Sequence, residues 1–134
     1  MGGCLVRGTL IAYSGSVGVV LMTVVETPGF LREAEGVLSE EERASLIHFL
    51  AANPHAGDVM PGTGGARKLR WRAPGRGKRG GVRVIYYYHD ESIPLFLLNV
   101  FAKNEKVNLT KAERNEIGKL LPRLVASYRK RALL

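Results

Sequence analysis

Between Gly62 and Tyr88 the chain carries Arg67, Lys68, Arg70, Arg72, Arg76, Lys78, Arg79 and Arg83, and no Asp or Glu. That one stretch supplies as much positive charge as the net +8 of the whole 134-residue chain. Lys68, Arg70 and Arg72 fall on every second position. On an extended strand this spacing sends all three to one face, with Arg67, Leu69 and Trp71 on the other. Like charges held so close are unfavourable without a counterion. Cations fixed on a sheet beside a Gly-rich loop therefore suit a polyanion with a shape, and nucleic acid is the obvious one. The bland alternative is an edge strand studded with cations against aggregation. It loses ground because Arg83 of the next strand is able to join the same face, and Lys103 and Asn104 end the strand after that.

Other motifs carry less. Gly75-Arg76-Gly77-Lys78-Arg79-Gly80 matches GxGxxG literally, but a dinucleotide fingerprint follows a strand and opens a helix. Here it joins two strands, so a basic loop gripping phosphate competes evenly with an ordinary hairpin loop. Gly62-Thr63-Gly64-Gly65 lacks the Gly-Lys-Ser/Thr ending of a P-loop and reads as turn chemistry. The Tyr86-Tyr87-Tyr88 run offers rings for base stacking, although strand alternation commits at least one of them to the core. Arg129-Lys130-Arg131 suits a solvated helix end. His48, His55 and His89 have no ligand spacing, so neither a zinc site nor any other metal is expected.

The elements that must position these residues follow from period and punctuation. Met22 leads into a short β-branched strand, ended by Pro28-Gly29, and a short helical stretch spans Phe30–Glu35. Ser39-Glu40-Glu41-Glu42 is a capping box opening a helix with Leu46, Ile47, Leu50 and Ala51 as its buried stripe and Asn53-Pro54 as its stop. Residues Gly57–Gly65 form a turn-rich connector. Strands are expected over Ala66–Ala73, Val82–His89 and Ile93–Ala102, the last apolar enough to be covered on both faces. Thr110-Lys111-Ala112-Glu113 is a second capping box. Its helix carries Ile117, Leu120, Leu121, Leu124, Val125 and Tyr128 on one stripe, and Pro122 is expected to kink or divide it. The fold class is α+β: a small antiparallel sheet packed against an N-terminal helical pair, with a C-terminal helix.

The size fits one domain, residues 22–134. Residues 1–21 are a Gly-rich leader, read as a start codon placed too early, an extra hairpin, or an expression remnant, with the first preferred. A single cysteine, Cys4, excludes an internal disulfide and suits a reducing cytoplasm. The apolar run Leu10–Val25 is interrupted and falls short of a membrane span, and it makes a poor signal peptide.

As an ordered set, Gly57-Asp58-Val59-Met60 through GTGGARKLRW, then GKRGGVRVIYYY, then Ala102-Lys103-Asn104-Glu105, resembles the RelE superfamily of bacterial type II toxins, particularly its HigB-like branch. The resemblance covers Met22–Leu121. It implies a compact α+β ribonuclease that cuts mRNA in the ribosomal A site. It also implies a cognate antitoxin, often a helix-turn-helix HigA-like protein, and no small-molecule cofactor. Position by position, the family's paired basic residues fall on Lys68 and Arg70, its third-strand arginine on Arg83, and its later basic residue at or beside Lys103. Asn104 stands where some relatives carry arginine. The tyrosine that RelE itself places beyond this point is missing; Leu109 stands near there.

RNA brings its own nucleophile, the 2′-hydroxyl, so a cleaving enzyme must align it, take its proton, neutralise the phosphorane and protonate the leaving 5′-oxygen. Lys68 is the candidate base: a free lysine titrates near about 10.4, and crowding by Arg70 and Arg83 with partial burial would lower that. Arg70 and Arg83 would hold the scissile phosphate, and Lys103 would serve as auxiliary cation or acid. Arg67, Arg72, Arg76, Lys78, Arg79 and Asn104 would bind flanking RNA. The expected product is a 2′,3′-cyclic phosphate, formed without metal. Rival readings are a non-enzymatic RNA- or DNA-binding module, whose affinity simply falls with salt, and a basic docking surface for an acidic partner.

Overall fold

A computed structural model describes residues 7–9, 21–72, 81–102 and 108–132. Among them the chain forms β1 (Arg7–Thr9), β2 (Val24–Glu26), α1 (Pro28–Val37), α2 (Glu40–Ala52), β3 (Asp58–Val59), β4 (Arg67–Trp71), β5 (Val82–Tyr87), β6 (Leu95–Ala102) and α3 (Lys111–Ala132). The strands make one sheet in the order β1-β2-β6-β5-β4-β3. It is antiparallel except where β2 runs parallel to β6. The three antiparallel strands expected from the sequence are β4, β5 and β6, and β2 adds a parallel pairing at the edge of β6. Tight hairpins impose opposite directions on neighbours, but β2 reaches β6 only after two helices and three strands, so no hairpin sets its polarity.

Each helix starts where its cap dictates. Thr27 caps α1, accepting from the Phe30 N–H at 3.4 Å while donating its hydroxyl to the Leu97 carbonyl at 2.8 Å. Ser39 and Glu42 form the capping box of α2 in both directions, at 3.0 and 2.8 Å. Replacing Ser39 by alanine is expected to cost about 1 kcal/mol. The check is a lower denaturation midpoint at an unchanged m-value. Thr110 and Glu113 do the same for α3, at 2.7 and 3.1 Å.

Two apolar layers cover the sheet. On one face Phe30 and Ala34 of α1 and Leu46, Ile47, Leu50 and Ala51 of α2 meet Val82, Val84, Tyr86, Leu95 and Leu97. On the other, Ile117 and Leu121 of α3 meet Ile85, Tyr87, Phe96, Leu98 and Phe101. β6 is therefore buried on both faces, as its nearly continuous apolar run requires. Full burial of each such side chain contributes about 1.5–3 kcal/mol. Two details of α3 differ from the sequence expectation. Leu120 is exposed rather than part of the stripe. Pro122 does not divide the helix, which is continuous from Lys111 to Ala132. Ile117 and Leu121, both buried in the turn that precedes Pro122, tie the helix to the sheet, and tertiary packing outweighs the local penalty.

Two local irregularities set the phase of the strands. The pairing of β5 with β6 passes from Ile85–Asn99 to Tyr86–Leu97, so β6 contains one extra residue. The Glu33 carboxylate of α1 accepts from the Asn99 side chain and the Val100 N–H there, both at 3.1 Å. Beyond this bulge Val100 faces α1 and α2 and Phe101 faces α3, the reverse of the earlier odd–even order. The second irregularity lies in the turn-rich connector, where Asp58 and Val59 pair with Lys68 and Arg67 as an edge strand. The GTGG segment then closes the turn. The buried Thr63 hydroxyl donates to the Met60 carbonyl at 2.8 Å and accepts from the Ala66 N–H at 3.0 Å.

Candidate active site

Register decides which cations meet. Lys68 pairs with Ile85, and Arg70 pairs directly with Arg83. Paired residues of antiparallel strands point to the same side. Ile85 belongs to the layer under α3. Lys68, Arg70 and Arg83 therefore share that face. Cβ atoms of a direct pair such as Arg70 and Arg83 stand about 5 Å apart, and a diagonal pair such as Lys68 and Arg83 about 7–8 Å apart. Phe101 lies across β5 from Arg70, in register with Arg83 and buried. The triangle of cations thus rests against an apolar floor. Arg70 is exposed, whereas Lys68 and Arg83 are half-buried.

The cluster lies at the end of the sheet where the β4–β5 hairpin opens. Gly81, with φ at +61°, sits against the carbonyl of Trp71 so closely that a Cβ would stand 3.1 Å from its carbon and 3.3 Å from the Cα of Arg72. Only glycine adopts that turn without strain. β6 ends at Ala102, paired with Val82 at the same end. Arg72 is exposed just past the end of β4. Arg76, Lys78 and Arg79 of the hairpin loop, and Lys103 and Asn104 after β6, lie outside the described residues.

Arg67 is not brought to this cluster. It pairs with the fully buried Tyr86 on the face of α1 and α2, and its guanidinium donates to the carbonyls of Gly57 at 2.7 Å and His55 at 3.4 Å. The tyrosine run divides as strand alternation demands. Tyr86 and Tyr87 are buried on opposite faces, and Tyr88 is half-buried with its ring 4.8 Å from that of His55. The Tyr86 hydroxyl accepts from the Gly57 N–H at 2.7 Å and donates to the Pro54 carbonyl at 2.9 Å. Burial pushes its phenol above the ordinary value despite the Gly57 hydrogen bond.

At the far end of β5 a second polar group forms around His89. Its Nδ1 lies 2.8 Å from the Tyr87 hydroxyl, and Arg129 of α3 reaches its Nε2 at 3.1 Å and Asp90 at 3.6 Å. Burial, then the Asp90 charge, raises the Tyr87 phenol, with Arg129 opposing. Arg129 thus anchors the helix end there, away from the cationic cluster.

One neighbour of the cluster escapes any reading of local pattern. The Lys68 ammonium donates to the Asn108 side chain at 2.7 Å, across 40 positions of sequence. Asp58, in register with Lys68 on β3, is the carboxylate nearest to it in strand order. The pairing of Asn108 with Lys68 has no signature in spacing, because it depends on how α3 crosses the sheet.

A family model described as the RelE toxin of the RelE / RelB toxin-antitoxin system matches residues 23–133. The chain belongs to the RelE toxin family. The match spans every described element except β1. A RelE-family chain is the toxin of a toxin–antitoxin pair, and toxins of this family generally cleave mRNA. An antitoxin is therefore its partner. In the RelE-family fold seen here, Lys68 and Arg70 of β4 and Arg83 of β5 are presented on one sheet face by backbone pairing, with Arg67 on the other. Among the described residues no helix is long and apolar enough to cross a membrane.

Proposed function

We propose that this chain is a HigB-like, ribosome-dependent mRNA endonuclease that cuts in the A site of cytoplasmic ribosomes and is neutralised by a helix-turn-helix, HigA-like antitoxin. The observation that carries the reading is the shared face of Lys68, Arg70 and Arg83 in a RelE-family chain. Three cations separated by about 5–8 Å at the level of Cβ match the scale of one RNA linkage and its neighbours.

Lys68 takes the proton of the 2′-hydroxyl, whose oxygen attacks the adjacent phosphorus. Arg70 and Arg83, planar and bidentate, neutralise the non-bridging oxygens as charge grows on them. The bond to the leaving 5′-oxygen breaks, that oxygen is protonated by Lys103 or by water, and a 2′,3′-cyclic phosphate remains. Arg72, Arg76, Lys78, Arg79 and Asn104 bind flanking backbone. This route uses functional groups of the chain, the RNA and water, with no metal in its steps.

The test is primer extension on mRNA with translating ribosomes. The intact protein is expected to produce discrete new 5′ ends only when ribosomes are present. Arg83→Ala is expected to lower the cleavage rate about 10²-fold, the effect of removing one transition-state donor. Thermal denaturation of the variant separates this loss from a loss of folded protein. Full cleavage by Arg83→Ala sinks the assignment. Binding that falls steeply with salt and leaves RNA uncut would instead make the chain a binding module.

A further inference from the structure

We infer that Asn108 is a positioning residue for catalysis, holding the Lys68 amine so that its lone pair faces the 2′-hydroxyl of the RNA. The inference rests on the proposed role of Lys68 and adds a residue to it. A lysine ammonium has donors only, so the Asn108 atom 2.7 Å from Nζ acts as the carbonyl acceptor. That choice of partner suits a base. A carboxylate in this position would favour the charged ammonium, whereas a neutral amide orients the group without adding a charge. Once deprotonated, the amine still has two N–H bonds and one lone pair. One N–H stays on Asn108, and the lone pair accepts the proton as the 2′ O–H bond breaks and a third N–H bond forms.

Both partners are held from the backbone up. Lys68 lies inside the sheet, paired with Asp58 on one side and Ile85 on the other. Asn108 precedes Leu109, which is buried in the layer under α3. Thr110 follows, with its N–H and hydroxyl both committed to the capping box and its carbonyl accepting from the Arg114 N–H at 3.0 Å. An anchored leucine and a closed cap thus leave the exposed Asn108 little backbone freedom. Among the described residues, the charged groups next to the pair in strand order or in sequence are Asp58 on β3, Arg70 on β4, Arg83 on β5, and Lys111 and Glu113 in the first turn of α3.

The experiment is single-turnover cleavage of a 5′-labelled mRNA in a ribosome complex. It compares the full chain with Asn108→Ala, Asn108→Asp, Lys68→Ala and the Asn108→Ala/Lys68→Ala double variant. Asn108→Ala is expected to slow cleavage about 10- to 100-fold, the scale of a misplaced reacting group. In the Lys68→Ala background the same change should have no further effect, because Asn108 acts only through the lysine. Asn108→Asp should move the rising limb of the pH–rate profile to higher pH, since its carboxylate favours the ammonium. Equal losses in both backgrounds would reveal a merely structural role and overturn the inference. Parental rates for Asn108→Ala, or an unmoved profile for Asn108→Asp, would overturn it too. Lys68→Ala cleaving at the parental rate would instead bring down the reading of Lys68 itself.

Discussion

Lys68→Arg is expected to cut mRNA about 10²- to 10⁴-fold more slowly than the parent chain, the usual contribution of a positioned general base. Its affinity for RNA and its thermal midpoint should change little. The substitution keeps the positive charge and a long apolar stem on β4, so the electrostatic face shared with Arg70 and Arg83 survives. What it removes is a group able to give up its proton, because a guanidinium stays charged across the accessible pH range. The variant therefore separates two roles that Lys68→Ala confounds. Rate lost with affinity kept identifies a base. Rate kept within a few fold would make Lys68 a phosphate contact only, and the proton acceptor would have to be sought elsewhere. Single-turnover rates and salt-titrated binding on the same protein read both quantities.

Gly57→Ala is expected to destabilise the fold by about 2–3 kcal/mol, as overpacking of a tight contact does. A fall in Tm of about 10 °C should accompany it. Gly57 is buried where the α2–β3 connector crosses β4. A Cβ there would lie 2.9 Å from the Lys68 carbonyl oxygen and 2.9 Å from the ring of Tyr86. Neither neighbour yields cheaply. The carbonyl belongs to a paired strand, and Tyr86 is fully buried with both hydroxyl hydrogen bonds made. The glycine N–H and carbonyl are also engaged, by Tyr86 and Arg67. Relief by moving the connector would break those bonds as well. Because the obstructed oxygen is that of Lys68 itself, residual folded protein should also cleave more slowly. Thermal and chemical denaturation check the first effect, and an unchanged midpoint would show that the connector yields to an added Cβ at little cost.

These two positions also mark the difference between what local pattern dictates and what packing dictates. Lys68, Arg70 and Arg83 are legible because a strand alternates with period two, whatever surrounds it. The helix starts at Ser39 and Thr110 are legible because a cap is built from four consecutive residues. The double-sided burial of β6 follows from a nearly continuous apolar run. Alternation likewise sends Arg67 to the opposite face from Lys68, but its two partners there, the carbonyls of Gly57 and His55, belong to a connector that local pattern does not place.

The sequence by itself determined the α+β class, the order of the main elements, and a strand that aims a lysine and an arginine to one side. The tertiary structure decided the parallel pairing of β2 with β6, the two-residue edge strand at Asp58 and the bulge that turns Phe101 toward Arg83. It also decided the meeting of Lys68 with Asn108. The physical reason is range. Caps and alternation are set by backbone geometry over a few residues, whereas register and contacts between distant segments depend on how the layers pack.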